Sequence, residues 1–176
     1  MIELPGQSVT LRTLERHHCR ELWEAYEPEE PLPTEPLNAG LSAEGSGRWF
    51  DEIQAKQGRE QVYLGVFAGD RLVGDIQLAE IDWRQRTARI GLGIARRADR
   101  HMGYGQDATQ TLLRYAFHHL DLHRIAASIV EYNEPARRIL EHCGFVQEGR
   151  ERQAVYCDGR RWDRLTYGLL REEFND

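Results

Sequence analysis

The chain lacks any run approaching the roughly 18 apolar residues of a membrane-spanning helix. Its opening residues, MIELPGQSVTL, also lack the basic start and apolar stretch of a secretion signal. Cysteine is scarce: Cys19, Cys143 and Cys157 are odd in number and far apart, and no CxxC pair is present. No metal site is expected from such a set, nor a disulfide framework; free thiols in a reducing compartment are. A cytoplasmic location with no membrane partner follows by elimination. Positive charge is short as well, with 23 Lys and Arg against 29 Asp and Glu and a net charge of −6. A polyanion is repelled by such a molecule as a whole, so no nucleic-acid partner is expected.

What is present suits one domain across residues 1–176, since 40% of the chain is hydrophobic and 30% charged. The cations are unevenly placed. Between Trp83 and Gln106 stand six arginines (Arg84, Arg86, Arg89, Arg96, Arg97, Arg100) and one acid, Asp99. This basic segment runs into RHMGYGQDA, residues 100–108, a glycine-rich stretch that reads as the opening of a helix and hence as a place for a phosphate.

The patterning gives an order of elements. Val9–Leu14 predicts a strand, 20–26 part of a helix, and 48–56 a second short helix; between them PEEPLPTEPLNAG holds four of the six prolines and predicts a connecting loop, with Glu27, Glu29, Glu30 and Glu35 as an acidic rim. Residues 61–68 and 71–78 flank a Gly69-Asp70 turn, and 87–94 completes a three-stranded antiparallel meander. That third strand contains Gly91 and Gly93, the mark of a bulge or of a close approach by another backbone or a ligand. Leu112, Leu113, Ala116, Phe117 and Leu120 recur with helical spacing, predicting a helix over about 106–120. A strand follows over 124–130, then a helix capped by Asn133, with Pro135 in its first turn and Gly144 at its end. A closing hairpin turns at Asp158-Gly159. The sum is a mixed α/β sheet, not repeated βαβ units.

Two ligands compete for the glycine loop. A dinucleotide fingerprint, with Gly103, Gly105 and Ala108 and with Glu131 as the ribose acid, needs its glycines directly after the first strand of a βαβ unit. Here the loop follows an antiparallel meander, and residues 95–102 separate it from the strand. In that context Arg100-x-x-Gly103-x-Gly105 resembles the acetyl-CoA loop of the GNAT superfamily of N-acetyltransferases. Asn133-Glu-Pro-Ala-Arg-Arg-Ile-Leu-Glu-His-Cys-Gly-Phe145 resembles the family's second signature, and LHRI (122–125), FVQEG (145–149) and the closing DGRRWDRLTYGLL resemble the RimJ/RimL-like branch.

The resemblance implies a single-domain GNAT fold, with a mostly antiparallel sheet, helices on both faces, and strands that splay where acetyl-CoA enters. It implies direct transfer of acetyl from acetyl-CoA to a primary amine, on a peptide or a small molecule, by a monomer or homodimer without a metal. Backbone N–H groups from Met102 through Gly103, Tyr104, Gly105 and Gln106 would hold the pyrophosphate at a helix start. Arg100, with Arg97 or Arg96 nearby, would add charge, with Arg138 or Arg137 on the next helix for the 3'-phosphate. Asn133 would meet the pantetheine arm, and free N–H groups at Leu92 and Ile94 would bond it and polarise the thioester. Tyr104 would either stack on the cofactor or face solvent.

The proton-transfer residues depart from the family pattern. The positions of the usual tyrosine, serine and glutamate hold Leu140, Ala136 and Val155, and a strand position that often holds a catalytic glutamate holds Ser128. Acid-base groups contribute roughly 3 to 5 kcal/mol, whereas positioning two reactants supplies about 7 to 11 kcal/mol, so catalysis without that tyrosine remains open. Ser128, Glu80 and Tyr156 are the candidate catalytic residues, with Asp75 and Asp82 as further carboxylates for a water-relayed base. A catalytically silent acyl-CoA-binding domain is the competing function. His17, His18 and Cys19, like His119 and His123, suit structural roles.

Overall fold

In the computed structural model, which describes residues 1–27 and 42–175, eight strands form one sheet in the order β1-β2-β3-β4-β5-β6-β8-β7. The strands are β1 (Glu3–Pro5), β2 (Thr10–Thr13), β3 (Val62–Ala68), β4 (Arg71–Asp82), β5 (Thr87–Ile94), β6 (Arg124–Val130), β7 (Val146–Cys157) and β8 (Arg160–Leu170). Four helices pack on it: α1 (Arg16–Ala25), α2 (Ser46–Lys56), α3 (Tyr104–His118) and α4 (Glu134–His142). Every pairing is antiparallel except β5 with β6. The expected order of elements is present, with two differences at the start of the chain and in the meander. The short edge strand β1 precedes the first expected one; with three residues ending in Pro5 it carries too little pattern to be read, and a proline is tolerated at such an edge. Strand β4 runs four residues past Leu78, to Asp82. The proline-rich loop and Glu29, Glu30 and Glu35 lie outside the described residues.

Why the strands read as they do follows from how many faces they bury. Strand β3, VYLGVFA, is covered on both sides and is apolar almost throughout. Its Val62, Leu64 and Val66 join Ile76, Leu78, Leu112, Leu113, Ala116 and Phe117 in one core, under α3. Its Tyr63 and Phe67 join Leu14, Cys19, Leu22, Ile53, Leu72 and Ala95 in a second, under α1 and α2. The far edge strand β7 buries only its last residue, Cys157, and is correspondingly polar.

One carboxylate ties the start of the chain to the helix that opens the glycine loop. Asp107, in the first turn of α3, accepts N–H bonds from Gln7 (3.0 Å), Ser8 (2.6 Å) and Val9 (2.9 Å) and the Ser8 hydroxyl bond (3.0 Å). Burial pushes its carboxyl up, but the backbone donors outweigh that and hold it below the usual range. Its contribution is therefore present above about pH 4 and is lost as pH falls through the depressed value. Replacing Asp107 by Ala strands three backbone donors and is expected to lower unfolding free energy by about 1–3 kcal/mol, read from urea denaturation at pH 7, with the loss shrinking at pH 3.

Candidate active site

Strands β5 and β6 pair only from Thr87↔Arg124 to Arg89↔Ala126. Beyond that point β6 stays with β8 as far as Val130, β5 stays with β4, and a gap opens between them. Ala95 donates its N–H to Val73 on the β4 side at 3.0 Å. Alternation along the strand turns the N–H groups of Ile94 and Leu92 the other way, into the gap. The expected donors are thus on the unpaired side.

The glycine loop closes the near end of that gap. Gly103 is the N-cap of α3 with φ 83°, a left-handed conformation suited to glycine, and a side chain there would meet nothing within 4 Å. The space beside it is open, and the N–H groups of Tyr104, Gly105 and Gln106 stand in the first turn without intrahelical acceptors. Gly105 has another reason: a Cβ on it would come within 3.0 Å of Leu92 and 3.1 Å of Ile139. Its absence brings the helix start against β5 and α4.

The arginines do more bracing than expected. Arg100 donates from Nε to the Ile94 carbonyl at 3.3 Å and from Nη2 to the Glu27 carbonyl. The Arg97 N–H is taken by the Glu27 carboxylate at 3.0 Å. Glu27, expected in an acidic rim, instead fastens the end of α1 to the approach of the loop. Tyr104 is partly buried with its hydroxyl beside Arg71, which pairs with buried Asp99 at 2.7 Å. It is a packing residue rather than an open stacking platform. Met102 is exposed. Asn133 caps α4, its Oδ1 accepting the Ala136 N–H at 3.1 Å, and Arg138 is an exposed cation paired with Glu134 at 3.1 Å. Glu131, the acid of the dinucleotide alternative, is occupied by the Asp163 N–H (2.9 Å) and Arg150 (2.5 Å).

Gly91 and Gly93 do not mark a bulge in β5. The irregularity lies opposite, on β4 between Ala79 and Asp82, where Glu80 has φ 52°. Gly91 and Gly93 sit in regular register with Gln77 and Asp75, and the positions of their missing Cβ atoms lie 3.3 Å from the Gln77 amide and 3.2 Å from Asp75 Oδ1. They leave room for two polar side chains of β4 to lean over the next strand. Asp75 is the residue the patterning named only among spare carboxylates, and Tyr63, whose hydroxyl donates to its Oδ2 at 2.6 Å, was missed. The available signal was a carboxylate inside an apolar strand, VGDIQL.

The three favoured catalytic candidates are not assembled into one centre. Glu80 and Ser128 share Arg89, which lies 3.7 Å from the Glu80 carboxylate and donates to the Ser128 hydroxyl at 2.9 Å. Tyr156 is exposed on the hairpin, its ring under Arg161. Arg161 is five residues along β8 from Thr166, the partner of Ser128, or roughly 17 Å at the rise of a strand. Asp82 forms a turn, accepting the N–H groups of Arg84 and Gln85. Leu140 is buried in the core under α4. His18 accepts the Glu15 N–H at the start of α1, and no metal-binding group is found among the described residues.

Asp75 keeps a narrow window to solvent, yet protein crowds its carboxyl on every side, and desolvation pushes it up from 3.8 to about 6 against the opposing Tyr63 hydrogen bond. The sign follows from linkage. Below about pH 4 both folded and unfolded chains are protonated; as pH rises toward 6 the unfolded chain loses its proton first, so stability falls. The cost above pH 6 is on the order of 2–3 kcal/mol. Asp75→Asn is therefore expected to melt above the parent protein at pH 8 and to lose that advantage at pH 4, as followed by calorimetry.

Comparison with known proteins agrees with this geometry. The acetyltransferase (GNAT) domain model matches residues 8–146. The putative ribosomal N-acetyltransferase YdaF of Bacillus subtilis is 34% identical over 113 residues, 64% of this chain and 61% of that protein, so the match spans about three-fifths of that relative. The spermidine N(1)-acetyltransferase of Vibrio cholerae is 29% identical over 133 residues, 71% of this chain and 75% of its own. The structure of RimL, a ribosomal-protein acetyltransferase in complex with coenzyme A, superposes with a TM-score of 0.83 at 18% identity, covering 96% of this chain and 98% of that one, a likeness of fold. The chain belongs to the GNAT family, of which it is an N-acetyltransferase using acetyl-CoA.

Proposed function

We propose that this chain moves the acetyl group of acetyl-CoA directly onto the primary amine of a small cationic acceptor, with a polyamine the first candidate, and protein N-termini, amino acids and other small amines the next. The observation that carries this reading is the unpaired N–H edge of β5, which runs from the open start of α3 past Gly93, over which the Asp75 carboxyl leans. The pantetheine arm would lie in the gap as a missing strand, bonded by Leu92 and Ile94. The pyrophosphate would meet the N–H groups of the loop and first turn, from Met102 to Gln106. The side-chain N–H₂ of Asn133 has no partner among the described residues and is available to the arm. Arg138 would reach the 3'-phosphate from its exposed position on α4.

Two facts favour a cationic acceptor. The chain carries a net charge of −6, and the Asp75 carboxylate beside β5 has no cation paired with it among the described residues. A relative named for spermidine supports the same class. A silent acyl-CoA-binding role is favoured only by the absence of acid-base groups at Leu140, Ala136 and Val155.

The test measures free CoA released from acetyl-CoA over spermidine, spermine, amino acids, aminoglycosides and peptides with varied N-termini. Turnover is expected on at least one primary amine, with polyamines above peptides. In parallel, acetyl-CoA at 100 times its dissociation constant is expected to stabilise the protein by about 2.7 kcal/mol, and NADP not at all. Stabilisation by acetyl-CoA without turnover of any amine would replace this proposal with the silent binding role.

A further inference from the structure

Buried carboxylates are ordinarily paired with a cation. Among the described residues Asp75 has none: its partner there is the Tyr63 hydroxyl, which occupies Oδ2. Its other oxygen, Oδ1, leans over Gly93, between Leu92 and Ile94, whose N–H groups edge the gap. The cross-strand neighbours of Asp75 are Gly65 on β3 and Gly93 on β5; the Gly65 side is filled by Leu14, Phe67 and Leu72, whereas on the Gly93 side the carboxyl itself takes the place of a side chain. Helix α1 closes the site from above through buried Cys19. The result is a recessed carboxylate with one oxygen oriented by the protein and one presented to the strand that would hold the thioester.

Resting on the acetyl-transfer reading above, we propose that Asp75 is the base that takes the proton from the acceptor amine, with Tyr63 as its positioning residue. The neutral amine attacks the thioester carbonyl carbon, forming the C–N bond, and its nitrogen becomes positively charged and acidic. Asp75 Oδ1 takes one proton from that nitrogen. The tetrahedral species collapses, the C–S bond breaks, and the electron pair leaves on the CoA sulfur. The thiolate is protonated from solvent as Asp75 releases its proton there, so the amide and free CoA form with no further reactant.

Groups that titrate near Asp75 are few. From α1, the Cys19 thiol is pushed up to about 12 by burial and stays neutral through the working range. His18, on the same helix, is lowered by burial and packs edge-on to Phe67, with its Nδ1 on the Glu15 N–H. From β2, Arg12 lies beyond Gly65 in the same row, but its guanidinium is turned to Asp70, the Gly69 carbonyl and the Phe67 ring. Gln77 and the β5 glycines do not titrate.

The experiment follows kcat and kcat/KM from pH 5 to 9 for the parent protein, Asp75→Asn and Tyr63→Phe, using the best amine of the panel, with acetyl-CoA affinity measured by calorimetry. The parent should lose activity as pH falls through about 6. Asp75→Asn should lower kcat about 100-fold or more, abolish that limb and leave acetyl-CoA affinity within about twofold. Tyr63→Phe removes the hydrogen bond that stabilises the charged carboxylate, so its limb should move to higher pH. A merely structural role would not move it. Asp75→Asn that keeps kcat within about threefold and an unchanged acid limb overturns this proposal alone. A parent protein that turns over no amine overturns the acetyl-transfer reading, and this proposal with it.

Discussion

Everything at the site depends on strand β5 leaving β6 after three paired residues. A parallel pair needs a crossover connection, here the loop and α3, and that connection delivers the helix N-terminus to the same end of β5 where pairing stops. Strand β6 does not follow β5 because it is fully paired with β8, and β5 does not follow β6 because it is held by β4. The gap is therefore fixed by pairings on its two outer sides. An unpaired N–H edge inside a sheet needs an acceptor, and an extended amide-bearing arm supplies what a ninth strand would.

The charged residues around the gap divide into braces and ligands, and composition does not separate them. The six arginines before the loop looked like one cationic field. In the structure Arg100 holds the end of β5 and the end of α1 together, and Arg89 bridges from β5 to Ser128 on β6 at the point where pairing ends. With Asp107 fixing the far side of α3 to the β1–β2 turn, the first turn of the helix is anchored on two sides. Its N–H groups are thereby oriented in advance, the arrangement that the proposed pyrophosphate site would use. Arg138, whose guanidinium is largely exposed, is free to move to a ligand at little structural cost.

The fold was legible because its signals are local: Gly69-Asp70 and Asp158-Gly159 turns, the Asn133 cap with Pro135, and the 3.6-residue stripe of α3. That the glycine loop opens a helix was legible for the same reason. The chemistry across the cleft was not, because it depends on register. That Gly65, Asp75 and Gly93 stand in one row, with Tyr63 diagonal to the carboxyl, follows from the pairing of three strands. The sequence pattern shows only two glycines in β5 and leaves open a bulge or a close approach; the irregularity belongs to Ala79–Asp82 on the neighbouring strand, and what approaches the glycines is the pair Gln77 and Asp75. Ser128, Glu80 and Tyr156 were chosen by position along their own strands. Two of them share an arginine, and the third lies on the hairpin.

The absence of the family tyrosine is consistent with catalysis when the two proton transfers are weighed separately. A thiol with an ordinary pKa near 8.5 leaves readily as a thiolate, so an acid for the departing sulfur contributes least. The amine is different: once it has attacked, its nitrogen must lose a proton for the intermediate to go forward, and a base within reach matters most there. Leu140 accordingly serves the core under α4, where a hydroxyl would have to be desolvated. The carboxylate at position 75 costs stability above pH 6, and its described structural partner is the Tyr63 hydroxyl alone. A charge carried at such a cost, between two glycines and beside the unpaired edge of β5, is what the proposed proton transfer from the amine would use and what folding alone would not favour.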